Sequence, residues 1–273
     1  MAYSAEFLLE RFVHHVLQGE ARPCNALINE ALAWKVPAES LLLEILWPTL
    51  ECAQRLKADG TIAGRTYNTA IRTLGGMLAL LEPHLEQAGL DCATGRSIMV
   101  LTAPGECEEL GAHITATLAE AHGWTVFFAG AGLTREEISF SIGQLNPDVL
   151  LIHGSFTTSV PQTRQLIEQL QKIRIWPRIQ IAVTGGISES TTGRNPLDAD
   201  IRGRDPVETL ELLTLCPEYR ATPQVRHPPK HAGASGKPLE LPCESVVETL
   251  TISTELIRKI MSQHFRTLLQ HPN

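Results

Sequence analysis

The chain has 273 residues, 43% of them hydrophobic and 19% charged, with a formal charge of −7. That is the balance of a folded globular protein of one large domain or two ordinary ones. The acidic charge and the lack of an arginine-lysine stripe argue against direct nucleic-acid binding. Six scattered cysteines with no CxxC pair argue against a zinc site and a disulfide framework.

In chain order, the first ninety residues read as helices. "FLLERFVHHVLQ" carries Leu8, Leu9, Phe12, Val13, Val16 and Leu17 at helical spacing. "NALINEALAWK" gives a second helix and "AESLLLEILWPTLECAQRL" a third, in which Pro48 predicts a kink or a restart. A fourth is expected from about residue 64 to 87, weakened at Gly75-Gly76 and kinked or restarted at Pro83. Short links between them predict a small antiparallel bundle.

The rhythm then changes. "SIMVLTA", "WTVFFAG", "DVLLIHG" and "RIQIAVTGG" read as strands, with a short fifth near 199–201, and helices fall between them. Thr134 with Glu136 and Glu137 predicts a capped helix start, as does Asp205 before Pro206. The fold expected is therefore α/β: an N-terminal four-helix bundle cap plus a flavodoxin- or Rossmann-like, doubly wound, parallel five-stranded sheet. The expected divisions are a cap over 1–92, the α/β domain over 93–216, a Pro-rich linker over 217–242 and an amphipathic helix over 243–273. That last stretch carries Val246, Leu250, Ile257, Ile260, Met261 and Leu268 on one face. It reads either as packing on its own chain or as a partner or dimer helix. No signal peptide and no apolar run of about 18 residues is read, so the expected address is the cytoplasm, off the membrane.

Ligands of such sheets bind beyond the carboxyl ends of the strands. The loops there are "APGECEELG", "AGAGL", "HGSFTTS" and "TGGIS", rich in small and hydroxyl residues and without Lys or Arg. That favours a bulky, weakly charged ligand over a polyphosphate. No nucleophile–base pair can be assembled, so catalysis by this chain alone is not expected.

A helical cap, a strand ending in Ala103-Pro104-Gly105, an acidic residue, the spaced Gly111 and the later Gly185-Gly186 resemble the cobalamin-binding modules of methionine synthase, corrinoid methyl carriers and cobalamin photoreceptors. The resemblance covers about residues 5–215. It implies a cobalamin in its hydroxo, methyl or adenosyl form, held by Gly105, Glu106, Glu108, Gly111, His153, Gly154, Ser155, Thr157, Thr158, Gly185 and Gly186. The family motif is DxHxxG, whose His binds cobalt and whose Asp orients it. Here Glu106 replaces the Asp and Glu108 the His, while Gly111 is retained. A carboxylate is a poorer partner for cobalt than imidazole. Three acids in four residues would repel one another if buried together. In the third loop Gly154 and Thr158 align with the residues facing the nucleotide tail, with Ser155 and Thr157 able to substitute. Lys57, Tyr67 and Asn68 align where the family's cap covers the upper face of the corrin.

Glu108 reads either as a water-bridged contact to cobalt or as a solvated first-turn helix acid. Cys107 reads as a thiolate ligand or a plain loop residue, and Gly185-Gly186 as close packing on a ligand or a tight turn. His153 is the imidazole expected to serve as a metal ligand, or else a satisfied strand-end residue; His113, His122, His227 and His231 read as structural or solvated. The function implied is a cobalamin-binding sensor, light- or redox-responsive, acting on a regulatory protein partner or by self-association through the C-terminal helix. The alternatives are a fold relative that takes haem or no ligand, and a corrinoid methyl carrier. All require a cleft under the cap wide enough for a flat macrocycle, except the ligand-free form.

Overall fold

A computed structural model describes residues 5–89, 93–172, 179–189 and 197–215. The expected linker and C-terminal helix lie outside the described residues. The cap begins with α1 (Ala5–Gln18) and α2 (Ala21–Ala33). Next, α3 (Ala38–Leu41) passes through a π-helical segment, Leu42–Leu46, into α4 (Trp47–Ala58). The predicted disruption at Pro48 takes this form. Proline has no N–H for the carbonyl one turn back, and widening the preceding turn absorbs the mismatch without breaking the rod. Thr49 Oγ1 donates to Ile45 O at 2.6 Å, satisfying a carbonyl in the altered stretch. The expected break in the fourth helix does not occur: α5 runs unbroken from Gly64 to Gly89 with Pro83 inside it. Its apolar side holds Tyr67, Ala70, Leu74, Met77, Leu78, Leu81 and Leu85 in the core, and that burial outweighs the lost hydrogen bond.

The α/β part alternates as the sequence predicts. It runs β1 (Ser97–Thr102), α6 (Leu110–Ala121), β2 (Thr125–Gly130), α7 (Arg135–Leu145), β3 (Val149–His153), a 3-10 turn at Thr157–Ser159 and α8 (Val160–Lys172). Then come β4 (Gln180–Thr184), the short α9 (Gly186–Glu189), β5 (Ile201–Arg202) and α10 (Pro206–Leu215). Thr134 and Glu137 form a reciprocal capping box, and Asp205 Oδ1 accepts from Glu208 N at 2.8 Å to cap α10. The strands pair in parallel in the order β2-β1-β3-β4-β5.

Alternate residues of β1 serve two cores. Met99 and Leu101 face α7 and α8, while Ile98 and Val100 face α6 and α10. The second of these cores is continuous with the interior of the helical cap, so cap and sheet share one apolar cluster. No described helix is long and apolar enough to cross a membrane.

Candidate functional site: a three-way carboxylate turn beneath the helical cap

Strand order reverses between β1 and β3, where doubly wound sheets hold ligands. The connection from β1 to α6 crosses this point. Gly105 begins it at φ +91°, a left-handed conformation that a side chain resists. Three glutamates follow within four residues: Glu109 turns to the loop after β2, while Glu106 and Glu108 meet at Ser155, where the charge of Glu108 still raises the pKa of Glu106.

Glu106 turns inward and is buried. Its Oε2 accepts from Ser155 N at 2.9 Å; its Oε1 accepts from Phe156 N at 3.0 Å and Ser159 Oγ at 2.6 Å. It thus fixes the loop after β3. Burial is the main influence on its carboxyl and raises its pKa above the usual range, against the lowering effect of these three donors. Glu106→Gln places an NH2 group against an N–H donor, because all three partners donate. The expected cost is about 2 kcal/mol, read as a lower urea midpoint with an unchanged slope.

Glu108 turns upward. Its Oε1 accepts from Leu110 N at the start of α6. Its Oε2 accepts from Gln54 Nε2 at 3.2 Å, Tyr67 Oη at 3.3 Å and Ser155 Oγ at 3.3 Å. Gln54 also donates to Ser155 Oγ at 2.9 Å. One carboxylate therefore ties α4 and α5 of the cap to both loops at the switch point. Burial, then the charge of Glu108, raise the pKa of the Tyr67 phenol, so it stays a neutral donor. Glu109 turns sideways and accepts from Ala131 N at 3.1 Å, in the loop after β2.

His153 does not open into the loop. Its ring is 1% exposed, meets Trp47 edge-on at 5.9 Å between centroids and has Nδ1 3.5 Å from Thr115 Oγ1. Burial lowers its pKa from 6.5 to about 4, so the ring is neutral. A Cβ on Gly111 would stand 2.2 Å from its Nε2, and one on Gly185 would stand 3.2 Å from its Cε1. The expected metal ligand is instead packed beneath the first turn of α6. Among the described residues, no group of three or more His, Cys, Asp or Glu side chains could hold a metal ion.

The glycines after β3 and β4 pack on one another's segments. A Cβ on Gly154 would lie 2.5 Å from Ile187 Cγ2, on Gly185 2.6 Å from Gly154 O, and on Gly186 2.5 Å from Ser155 O. Thr157 and Thr158 are exposed in the 3-10 turn, and Cys107 is an exposed free thiol. Of the aligned cap residues, Tyr67 meets Glu108 and stacks edge-on against Phe156 at 6.4 Å, whereas Asn68 is exposed. Sequence reasoning missed Gln54, Trp47 and Ser159. A buried acid needs donors, and Ser159, the last hydroxyl of the loop after β3, supplies one to Glu106.

The profile of the B12 binding domain matches residues 96–211. Those residues belong to the B12-binding domain family. Methionine synthase of Mycobacterium tuberculosis is 21% identical over 211 residues, covering 76% of this chain and 18% of that protein. A corrinoid protein of Desulfitobacterium hafniense is 26% identical over 110 residues, covering 40% of this chain and 51% of its own length. The chain thus spans about half or less of these two relatives. The solved monomethylamine corrinoid protein of Methanosarcina barkeri superposes with a TM-score of 0.65 at 16% identity, over 77% of this chain and 98% of that one. This likeness establishes a shared helical-plus-α/β fold.

The B12-binding domain and its cap do not fit a corrin in this arrangement. A flat macrocycle between them needs the two faces apart, yet Gln54 and Tyr67 reach Glu108, and Trp47 rests on His153. The cleft expected from the sequence is closed by the chain's own side chains. The carboxylate standing in the imidazole position is already engaged four ways.

Proposed function

We propose that this chain is a cobalamin-binding protein of regulatory type, whose cap is latched shut by Glu108 and whose loading state is passed to a protein partner. The observation that carries this reading is the bonding of Glu108 to Gln54 and Tyr67 of the cap and to Ser155 of the loop after β3. Family membership supplies the ligand class. A latch at that position makes cap position depend on whether the cleft is filled, because a ligand seated there excludes these contacts. Ser155, bonded to Gln54 of the cap and to Glu108, is the loop residue placed to meet a ligand once the cap lifts, and Gly105, Thr157 and Thr158 are exposed in the same two loops. Nothing in the site pairs a nucleophile with a base, so the role proposed is binding and signalling, not catalysis.

The second reading is a corrinoid methyl carrier, favoured by the corrinoid proteins among the relatives. Engagement of Glu108 in the latch weighs against it, since a carrier of that type works through a replaceable axial ligand.

The test is to incubate the purified chain in the dark with hydroxo-, methyl- and adenosylcobalamin and with haem, desalt, and record absorption spectra. Retention of a cobalamin is expected. In Glu108→Ala the closed form loses its tie, and apparent affinity is expected to tighten about 5- to 10-fold, the effect of removing roughly 1 kcal/mol of closed-state preference. Weaker binding in that variant would mean that Glu108 contacts the ligand, and would overturn the latch. Retention of haem alone, or of nothing, would overturn the cobalamin reading. Methyl transfer to a thiol acceptor through an added methyltransferase would establish the carrier reading.

A further inference from the structure

One rod of the cap touches the α/β domain at three places. It runs from α3 through the π-helical segment Leu42–Leu46 into α4. Near its start, Glu39 Oε1 meets His122 Nε2 at 2.9 Å, just past the end of α6. Directly after the π-helical segment, Trp47 rests edge-on against His153. Further on, Gln54 reaches Glu108 and Ser155, beside the loop that opens α6. The rod therefore lies antiparallel to α6. Its later contacts cover the switch point, where a ligand enters, while the Glu39 contact stands at the far end of α6 and need not break.

Between the contact that can stay and those that must part lies the weakest stretch of the rod. Trp47 N donates to Leu42 O, five residues back instead of four. Pro48, next in line, has no N–H to give, so a carbonyl of the turn before it loses its helical donor. The hydroxyl of Thr49 compensates in part by donating to Ile45 O. Helices bend at such departures from α-geometry, where the fewest backbone bonds resist. Leu42, Ile45 and Leu46 are buried in the bundle, so packing closes the bend while the cap is down.

We propose that Leu42–Leu46 is the hinge of the cap, about which Trp47–Ala58 swings off the switch point while Glu39 keeps α3 against His122. The inference rests on the reading that the cap lifts to admit a ligand, and it holds whichever ligand that is.

Hydrogen exchange of the chain, resolved by mass spectrometry to short fragments, tests it. Bending breaks the backbone bonds of the hinge and spares those of α4 beyond it. Amides within 43–49 are expected to exchange at least about 10-fold faster than those of 51–58. Thr49→Val removes the hydroxyl bond and should speed the hinge amides by a further factor of about 5. Pro48→Ala supplies the missing N–H and should slow them to the rate of α4. These two substitutions move the segment in opposite directions, so either one decides should the other unfold the cap. Glu108→Ala frees the latch and should speed the hinge about 5-fold with α6 unchanged. Hinge amides as protected as those of α4, or unmoved by both substitutions, would overturn the proposal. So would a Glu108→Ala effect spread evenly over α1 to α5, which would mean a cap without a hinge. A fast hinge that answers to Thr49 and Pro48 but not to Glu108 upholds the proposal and removes the latch instead.

Discussion

Acidification from pH 6.5 to 4 is expected to weaken the fold by about 3 kcal/mol through His153 alone. The folded imidazole resists protonation down to about pH 4, held there by burial beneath Gly111 and against Trp47. In the unfolded chain the same ring accepts a proton near 6.5. Over that window the unfolded state binds one more proton than the folded state, so stability falls as pH falls. Each pH unit of separation contributes about 1.4 kcal/mol. Other groups titrate nearby. Glu39 and Glu208 lie below the usual carboxylate range, through the hydrogen bond to His122 and those from Arg204 respectively, so their stabilising contributions are also lost on acidification. Glu106 is raised by burial and works in the opposite direction, gaining stability as it becomes protonated. Comparison with His153→Gln isolates the imidazole. Urea midpoints measured from pH 7 to 4 should show the variant with a shallower dependence, by roughly 1.4 kcal/mol per pH unit across the window. Parallel profiles for the two proteins would mean that the ring is solvated in the folded state.

Gly111→Ala is expected to cost about 2–3 kcal/mol and to lower Tm by roughly 5–10 °C. The added methyl would stand 2.2 Å from His153 Nε2, 2.8 Å from Cε1 and 3.0 Å from Cδ2, so it meets the ring across its edge. The ring has nowhere to go: Trp47 closes one side and Thr115 another, and a Cβ on Gly185 would stand within 3.2 Å of it. Removing the ring should therefore rescue the methyl. In a His153→Ala background the cost of Gly111→Ala should shrink below about 1 kcal/mol, a coupling that thermal melts of the four proteins in the cycle measure directly. Equal costs in both backgrounds would assign the penalty to the backbone of α6 instead.

These two residues also mark the limit of what the sequence discloses. Gly111 could be placed from its spacing to Glu106 and Glu108, and Thr134 and Asp205 stated their helix starts through local chemistry. Strand order was legible in general form because alternating strands and helices leave few ways to wind a parallel sheet. Local patterns could not show that His153 turns under α6, because its surroundings come from Trp47, Gly111 and Gly185, far apart along the chain. The same holds for Glu108, whose partners Gln54 and Tyr67 lie on cap helices more than forty residues away. Pro83 announced a helix break and gave none, whereas the disruption announced at Pro48 is present as a π-helical segment before α4. At Pro48 a widened turn takes up the mismatch, and at Pro83 the packed face of α5 keeps the rod intact.

The turn from Glu106 to Glu109 gives each carboxylate its own direction by its place in a single tight bend. Rotating that bend by one residue would send the inward acid to the surface and the upward one into the interior. Its length is therefore more tightly constrained than its composition. A change of one side chain there undoes one tie, whereas an insertion or deletion between Gly105 and Gly111 would undo all three at once.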